Sequence, residues 1–174
     1  MRLRLNQPEL RAAHRLDSGT SGCLVLAKTP TARMGLAALF RQQAVQKIYR
    51  ALIRGVPREQ HWFIKQPVQG KSALSEVSTL ETGPEASHVQ VNIMTGRTHQ
   101  IRRHLLACGH PLIGESYYAP HRKVSAKEQL FSRPMLHAFQ LIFCHPRTGQ
   151  KIKCTAPLPP DFRRALACFH LKII

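Results

Sequence analysis

The chain has 174 residues, a length that suits one compact domain and leaves little room for a second. Apolar residues make up 43% of it, too many for a disordered tail, yet no run approaches the roughly 20 that a membrane-spanning helix needs. Its 26 Lys and Arg against 9 Asp and Glu leave a formal net charge of +17, spread over several segments, so a nucleic acid fits better as partner than a membrane surface.

The first residues, Met1-Arg-Leu-Arg-Leu-Asn-Gln-Pro8, carry no apolar segment of the secretory type, so a soluble, cytoplasmic chain is expected. Residues 22–27 (Gly-Cys-Leu-Val-Leu-Ala) read as a short buried strand. Thr29 or Thr31 can cap a following helix running to about Gln43, with Leu36, Leu39 and Phe40 on one face. In Lys47-Ile-Tyr-Arg-Ala-Leu-Ile-Arg54, Ile48, Arg50, Leu52 and Arg54 alternate against Tyr49, Ala51 and Ile53, a strand closed by Gly55-Val-Pro57. Residues 74–80 and 87–93 form a second strand pair across the turn Thr82-Gly-Pro-Glu85. Thr98 starts a helix carrying Ile101, Leu105 and Leu106, with Gly109 where a C-terminal cap belongs. A basic loop over 119–134 and strands near 135–143 and 150–155 follow. Pro157-Leu-Pro-Pro160 stops the chain, and Asp161 can cap a last helix reaching Cys168. Strands outnumber helices and most connections are hairpin-like, which favours an α+β fold with one mixed, largely antiparallel sheet and flanking helices.

The five cysteines are odd in number, widely spaced and without a C-x-x-C pair, so reduced structural thiols are expected. His104, Cys108 and His110 lie close together, but no second cluster stands at ligand spacing, and no metal is expected.

Two segments carry candidate chemistry. Asp17 lies in His14-Arg-Leu-Asp-Ser-Gly-Thr-Ser-Gly22, and from Ser18 to Arg58 no acidic residue follows it. That stretch holds Lys28, Arg33, Arg41, Lys47, Arg50, Arg54 and Arg58. A carboxylate among cations that grip phosphate works against binding, so its presence suggests a use; the alternative is plain Asp-Ser-Gly turn chemistry. The second segment, Thr95-Gly-Arg-Thr-His-Gln-Ile-Arg-Arg-His104, gathers Arg97, His99, Arg102 and Arg103 around a helix start, where unpaired N–H groups attract anions. The alternative there is a solvated basic face, and for Tyr49 it is ordinary core.

Together these segments resemble the RluA family of pseudouridine synthases. His14-Arg-Leu-Asp-Ser-Gly-Thr-Ser-Gly22 matches the family's H-R-L-D-x-x-T-S-G motif, and Lys47-Ile-Tyr49 with Gly55 resembles its K-x-Y strand. Asn92-Ile-Met-Thr-Gly-Arg-Thr-His-Gln-Ile-Arg102, continuing into His104, Gly109-His-Pro111 and Gly114, resembles its third motif. Leu136-His-Ala138 and His145-Pro-Arg-Thr-Gly149 resemble its C-terminal strands. The resemblance runs from about residue 12 to 165. It implies the pseudouridine synthase fold and isomerisation of uridine to pseudouridine in RNA, without cofactor or metal. It further implies Asp17 as the catalytic aspartate, Tyr49 as the residue stacking on the target base and Arg102 as the partner of the aspartate. Arg15, Arg97 and His99 are the other substrate-binding positions expected. Two departures stand out: the family's first strand is not visible in the thirteen residues before His14, and Glu115 stands where the family commonly has Asp.

Residues 1–174 are therefore expected to form one catalytic domain lacking that strand, monomeric, with a tRNA or rRNA loop as partner and neither DNA nor membrane. Breaking the N1–C1′ bond and rejoining uracil through C5 needs a closed pocket and a flipped, stacked base. The alternative expectation is a catalytically inactive RNA-binding protein of the same fold.

Overall fold

A computed structural model describes residues 9–174. Whether residues 1–8 contribute to the family's first strand lies outside the described residues. The described chain runs in the order β1 (Arg11–Ala12), β2 (Ser21–Gly22), β3 (Leu26–Ala27), α1 (Pro30–Arg41), β4 (Gln46–Arg54), β5 (His61–Ile64), β6 (Ser75–Thr82) and β7 (Ala86–Ile93). It continues through α2 (Gln100–Ala107), α3 (Ala126–Gln129), β8 (Leu136–Cys144), β9 (Lys151–Thr155) and α4 (Pro160–Cys168). Among the described residues seven strands form one sheet in the order β2-β8-β4-β7-β6-β5, with β9 also paired to β8. Only β2 and β8 run parallel; the other pairs are antiparallel, so the α+β expectation holds.

The alternation read in β4 divides the core. Ala51 and Ile53 pack with Val77, Val89 and Val91 under Ile101 and Leu105 of α2. Leu52 points the other way, against Phe162 and Leu166 of α4. A third cluster joins Leu36, Leu39 and Phe40 of α1 to Leu141 and Phe143 of β8. Thr29 caps α1 by accepting from the Ala32 N–H at 3.2 Å, as its sequence suggests. Gly109 ends α2 at φ +79°, its N–H donating to the Leu106 carbonyl.

Four expectations need correction. The strand over 22–27 is two short strands. Gly22, at φ +119°, ends the parallel pairing with β8, and β3 pairs instead with β1. α2 begins two residues after Thr98, and its N-cap is His99 in the left-handed region at φ +54°. Asp161 does not cap α4: Pro159 holds that position, and Asp161 lies in the first turn bound to Arg133. The basic loop over 119–134 contains α3, capped by Ser125, and β5 was not anticipated.

Candidate active site

Asp17 opens a tight turn in which the Thr20 N–H donates to the Asp17 carbonyl at 2.9 Å, with Gly19 at φ +81°. The turn is held from several sides. His14 accepts from the Val25 N–H through Nε2 at 3.0 Å and stacks on Phe40 with ring centroids 4.3 Å apart. Arg133 donates from Nη1 to the Gly19 carbonyl at 2.9 Å, while its Nε is bound to Asp161 at 2.6 Å. Ser21 donates to His137 Nδ1 at 2.9 Å, an assignment that follows because His137 Nε2 gives its hydrogen to the Ala156 carbonyl. With its backbone pinned this way, the Asp17 carboxylate itself makes no hydrogen bond among the described residues. The turn-forming alternative, in which that side chain bonds its own backbone, is not what the structure shows.

Asp17 faces a cleft of about 460 Å³ between α1 and α2, floored by Lys47 and Tyr49 of β4. Arg15, Arg41 and Arg97 also line it. Burial, and secondarily the charge of Asp17, pushes the Tyr49 phenol up to about 12. Burial also lowers the Lys47 ammonium, which donates to the Thr95 carbonyl at 3.2 Å.

α2 is fastened to β6 by side chains that the sequence presented only as part of a basic segment. Gln100 accepts from Thr95 Oγ1 and the Arg97 N–H, and donates to the Leu74 carbonyl and to Ser75 Oγ. Ser75 in turn donates to His104 Nδ1, whose Nε2 gives its hydrogen to the Gln66 carbonyl. His104 is thus engaged as a structural residue. Among the described residues no group of three or more His, Cys, Asp or Glu side chains is placed to hold a metal ion, and all five cysteines are free.

The expected contact between Asp17 and Arg102 is not formed. Arg102 is buried and bound to Glu115 through two bonds, Nε to Oε2 at 2.6 Å and Nη2 to Oε1 at 2.8 Å. The side chain that approaches Asp17 is instead His99, whose Nε2 lies 3.9 Å from Oδ1. Of the residues singled out from sequence, Arg15, Asp17, Tyr49 and Arg97 meet around the cleft, and His99 and Arg102 stand behind its lining. Sequence reasoning passed over the partners: Glu115, noted only as a departure, and Tyr118, one of three tyrosines, which contacts His99, Arg102 and Arg103.

A family model described as RNA pseudouridylate synthase matches residues 1–107. The chain belongs to the RNA pseudouridylate synthase family. It is 34% identical to the ribosomal large subunit pseudouridine synthase D of Neisseria meningitidis, over 95% of this chain and 50% of that protein. It is 35% identical to the ribosomal large subunit pseudouridine synthase C of Pasteurella multocida, over 97% of this chain and 58% of that one. The chain therefore spans about half the length of the curated relatives it matches. Among solved structures, the human RNA pseudouridylate synthase domain containing 1 superposes with a TM-score of 0.79 at 32% identity, covering 96% of this chain and 76% of that one. The resemblance seen in four sequence segments is to the RluA type, and parts of each segment, Asp17, Tyr49, Arg97 and Leu136 among them, line one cleft.

Proposed function

We propose that the chain is a catalytic domain that isomerises a uridine of tRNA or rRNA to pseudouridine, with Asp17 as the catalytic carboxylate. The observation that carries this reading is the Asp17 side chain, free of hydrogen bonds among the described residues, on a pinned turn beside Tyr49 in a cleft where it is the one carboxylate among Arg15, Arg41, Lys47 and Arg97. The cleft's volume is within the range of small-ligand sites and suits a flipped nucleotide. The uracil stacks on Tyr49, and Asp17 acts at the sugar or base as the N1–C1′ bond breaks. The base turns and C5 takes the place of N1, losing its proton. The Tyr49 phenol, pushed up to about 12, stays protonated while its ring stacks, and Tyr49 or a water beside it collects the C5 proton as N1 gains one.

Arg15, Arg41 and Arg97 meet the phosphates on either side of the flipped nucleotide. The exposed ring of Tyr117, edge-on to Tyr118, offers a second stacking surface outside the cleft. The relatives' names favour ribosomal RNA of the large subunit among possible targets, and a cytoplasmic site of action goes with it. Among the described residues no helix is long and apolar enough to cross a membrane.

Asp17→Asn tests the reading. Pseudouridine formation is expected to fall by at least ~10³-fold while RNA affinity holds or tightens, since one negative charge leaves the cleft. Comparable turnover by the variant would remove Asp17 from the mechanism. Unchanged pseudouridine maps of cellular RNA with and without the gene would leave the binding protein as the better reading.

A further inference from the structure

His99 is in an unusual place for a histidine. It occupies the N-cap of α2 with φ +54°, in the left-handed region that non-glycine residues avoid, and its side chain makes no capping bond. Helix stability alone would put Ser, Thr, Asp, Asn or Gly there. The imidazole instead lies in a chain of polar contacts. Arg103 Nε is 3.1 Å from the Tyr118 hydroxyl, that hydroxyl is 2.6 Å from His99 Nδ1, and His99 Nε2 is 3.9 Å from Asp17 Oδ1.

The chemistry of these groups sets its direction. A guanidinium can only donate, so the Tyr118 oxygen accepts from Arg103. The phenolic hydrogen is free to turn to His99 Nδ1, and in that arrangement Nδ1 accepts it. In a neutral imidazole the remaining hydrogen sits on Nε2, facing the carboxylate. Tyr118 is fixed in turn, because its backbone N–H and that of Tyr117 donate to Glu115 Oε1, and Arg102 grips the same carboxylate.

We propose that His99, its tautomer and ring orientation set by Tyr118 and Arg103, is the positioning residue for the Asp17 carboxylate. Arg102, bound to Glu115 and without a direct contact to Asp17, acts on that carboxylate only through its charge. The 3.9 Å gap is too long for a hydrogen bond, and the Nε2–H guides Oδ1 electrostatically; rotation of the carboxylate about χ2, a soft torsion, brings it within bonding reach. His99 approaches Asp17 at the cleft, and its effect on the reaction is placed on that carboxylate. The inference rests on the enzyme reading above, and its test separates the two.

The test joins two measurements. Long-range nitrogen–proton NMR of the ¹⁵N-histidine-labelled full chain reads the tautomer directly: hydrogen on Nε2 alone is expected for His99, and its loss of preference in Tyr118→Phe. Activity is read as tritium released from C5-tritiated uridine in RNA extracted from cells lacking the gene. His99→Leu should lower kcat about 30-fold with KM changed less than about twofold, and His99→Gln, which keeps an N–H near Nε2, should recover most of it. Tyr118→Phe should cost about tenfold in kcat, and adding it to His99→Leu should cost nothing more. Melting temperature and RNA affinity are expected to stay at wild-type values in all three. A hydrogen on His99 Nδ1, or loss in His99→Leu confined to KM or stability, overturns the role of His99 alone. A wild-type chain that releases no tritium overturns the enzyme reading and this role with it.

Discussion

Glu115 shows how one side chain can be conspicuous in structure and faint in sequence. Burial pushes its carboxyl up, but the hydrogen bonds from Arg102 and from the Tyr118 and Tyr117 N–H groups together outweigh burial and hold it below the usual value. A carboxyl depressed in the folded state contributes stability above its unfolded value of 4.5, and that contribution is lost as pH falls below it. Glu115→Ala leaves the Arg102 guanidinium buried without a partner, and urea unfolding at neutral pH should register a loss of about 3–5 kcal/mol. From the sequence, Asp17, Tyr49 and Arg97 could be grouped because local segments carry them. The pairing of Arg102 could not be read, because its choice between Asp17 and Glu115 depends on how residues 110–118 fold back over α2. Tyr118 was invisible for the same reason.

At the level of elements, local chemistry decided what was legible. α1 has its Thr29 cap, β6 and β7 a strong turn between them, and α2 a glycine stop, so each could be read within a residue or two. β5 (His61–Ile64) has only four residues, two of them exposed, and exists because β6 offers an edge to pair with. The break at 22–27 is likewise a tertiary matter. A Cβ on Gly22 would stand 2.2 Å from the Ala138 carbonyl oxygen, so the backbone that follows the Asp17 turn presses directly on β8. Gly22→Ala is expected to cost about 3 kcal/mol or more and to abolish activity. Gly109, also at positive φ but with nothing within 4 Å of its absent Cβ, serves as the comparison: Gly109→Ala should cost only about 1 kcal/mol. Thermal melts of the two variants side by side check the difference.

Over the whole molecule the sheet separates two tasks. α1 and α2 cover the face that bears the cleft, and α4 closes the opposite face with an apolar cluster. His88 sits in that second layer, fully buried on β7, with both ring nitrogens lacking a partner and its ring edge-on to Phe162. Burial, aided by the positive charge of Arg50, lowers it from 6.5 to about 4. The unfolded chain therefore binds the extra proton first. The neutral ring's contribution is complete above pH 6.5 and is lost as pH falls from there toward 4, on the order of 3 kcal/mol in all. His88→Leu should flatten this slope in unfolding curves taken between pH 7 and 4, as it leaves no polar ring to desolvate. His88 lies in none of the motif segments singled out from the sequence, and the two-sided burial of β7 makes it matter.

β8 touches more of the sheet than a strand ordinarily does: β4 along one edge, and along the other β2 at its beginning and β9 toward its end. The backbone bond that follows the Asp17 turn, from the Cys23 N–H to the Ala138 carbonyl, is anchored in it. Order in the turn is thereby tied to a strand hydrogen-bonded along both edges. An acidic side chain mounted this way keeps its place for as long as the protein remains folded, and substitutions deep in β8 reach it through the backbone.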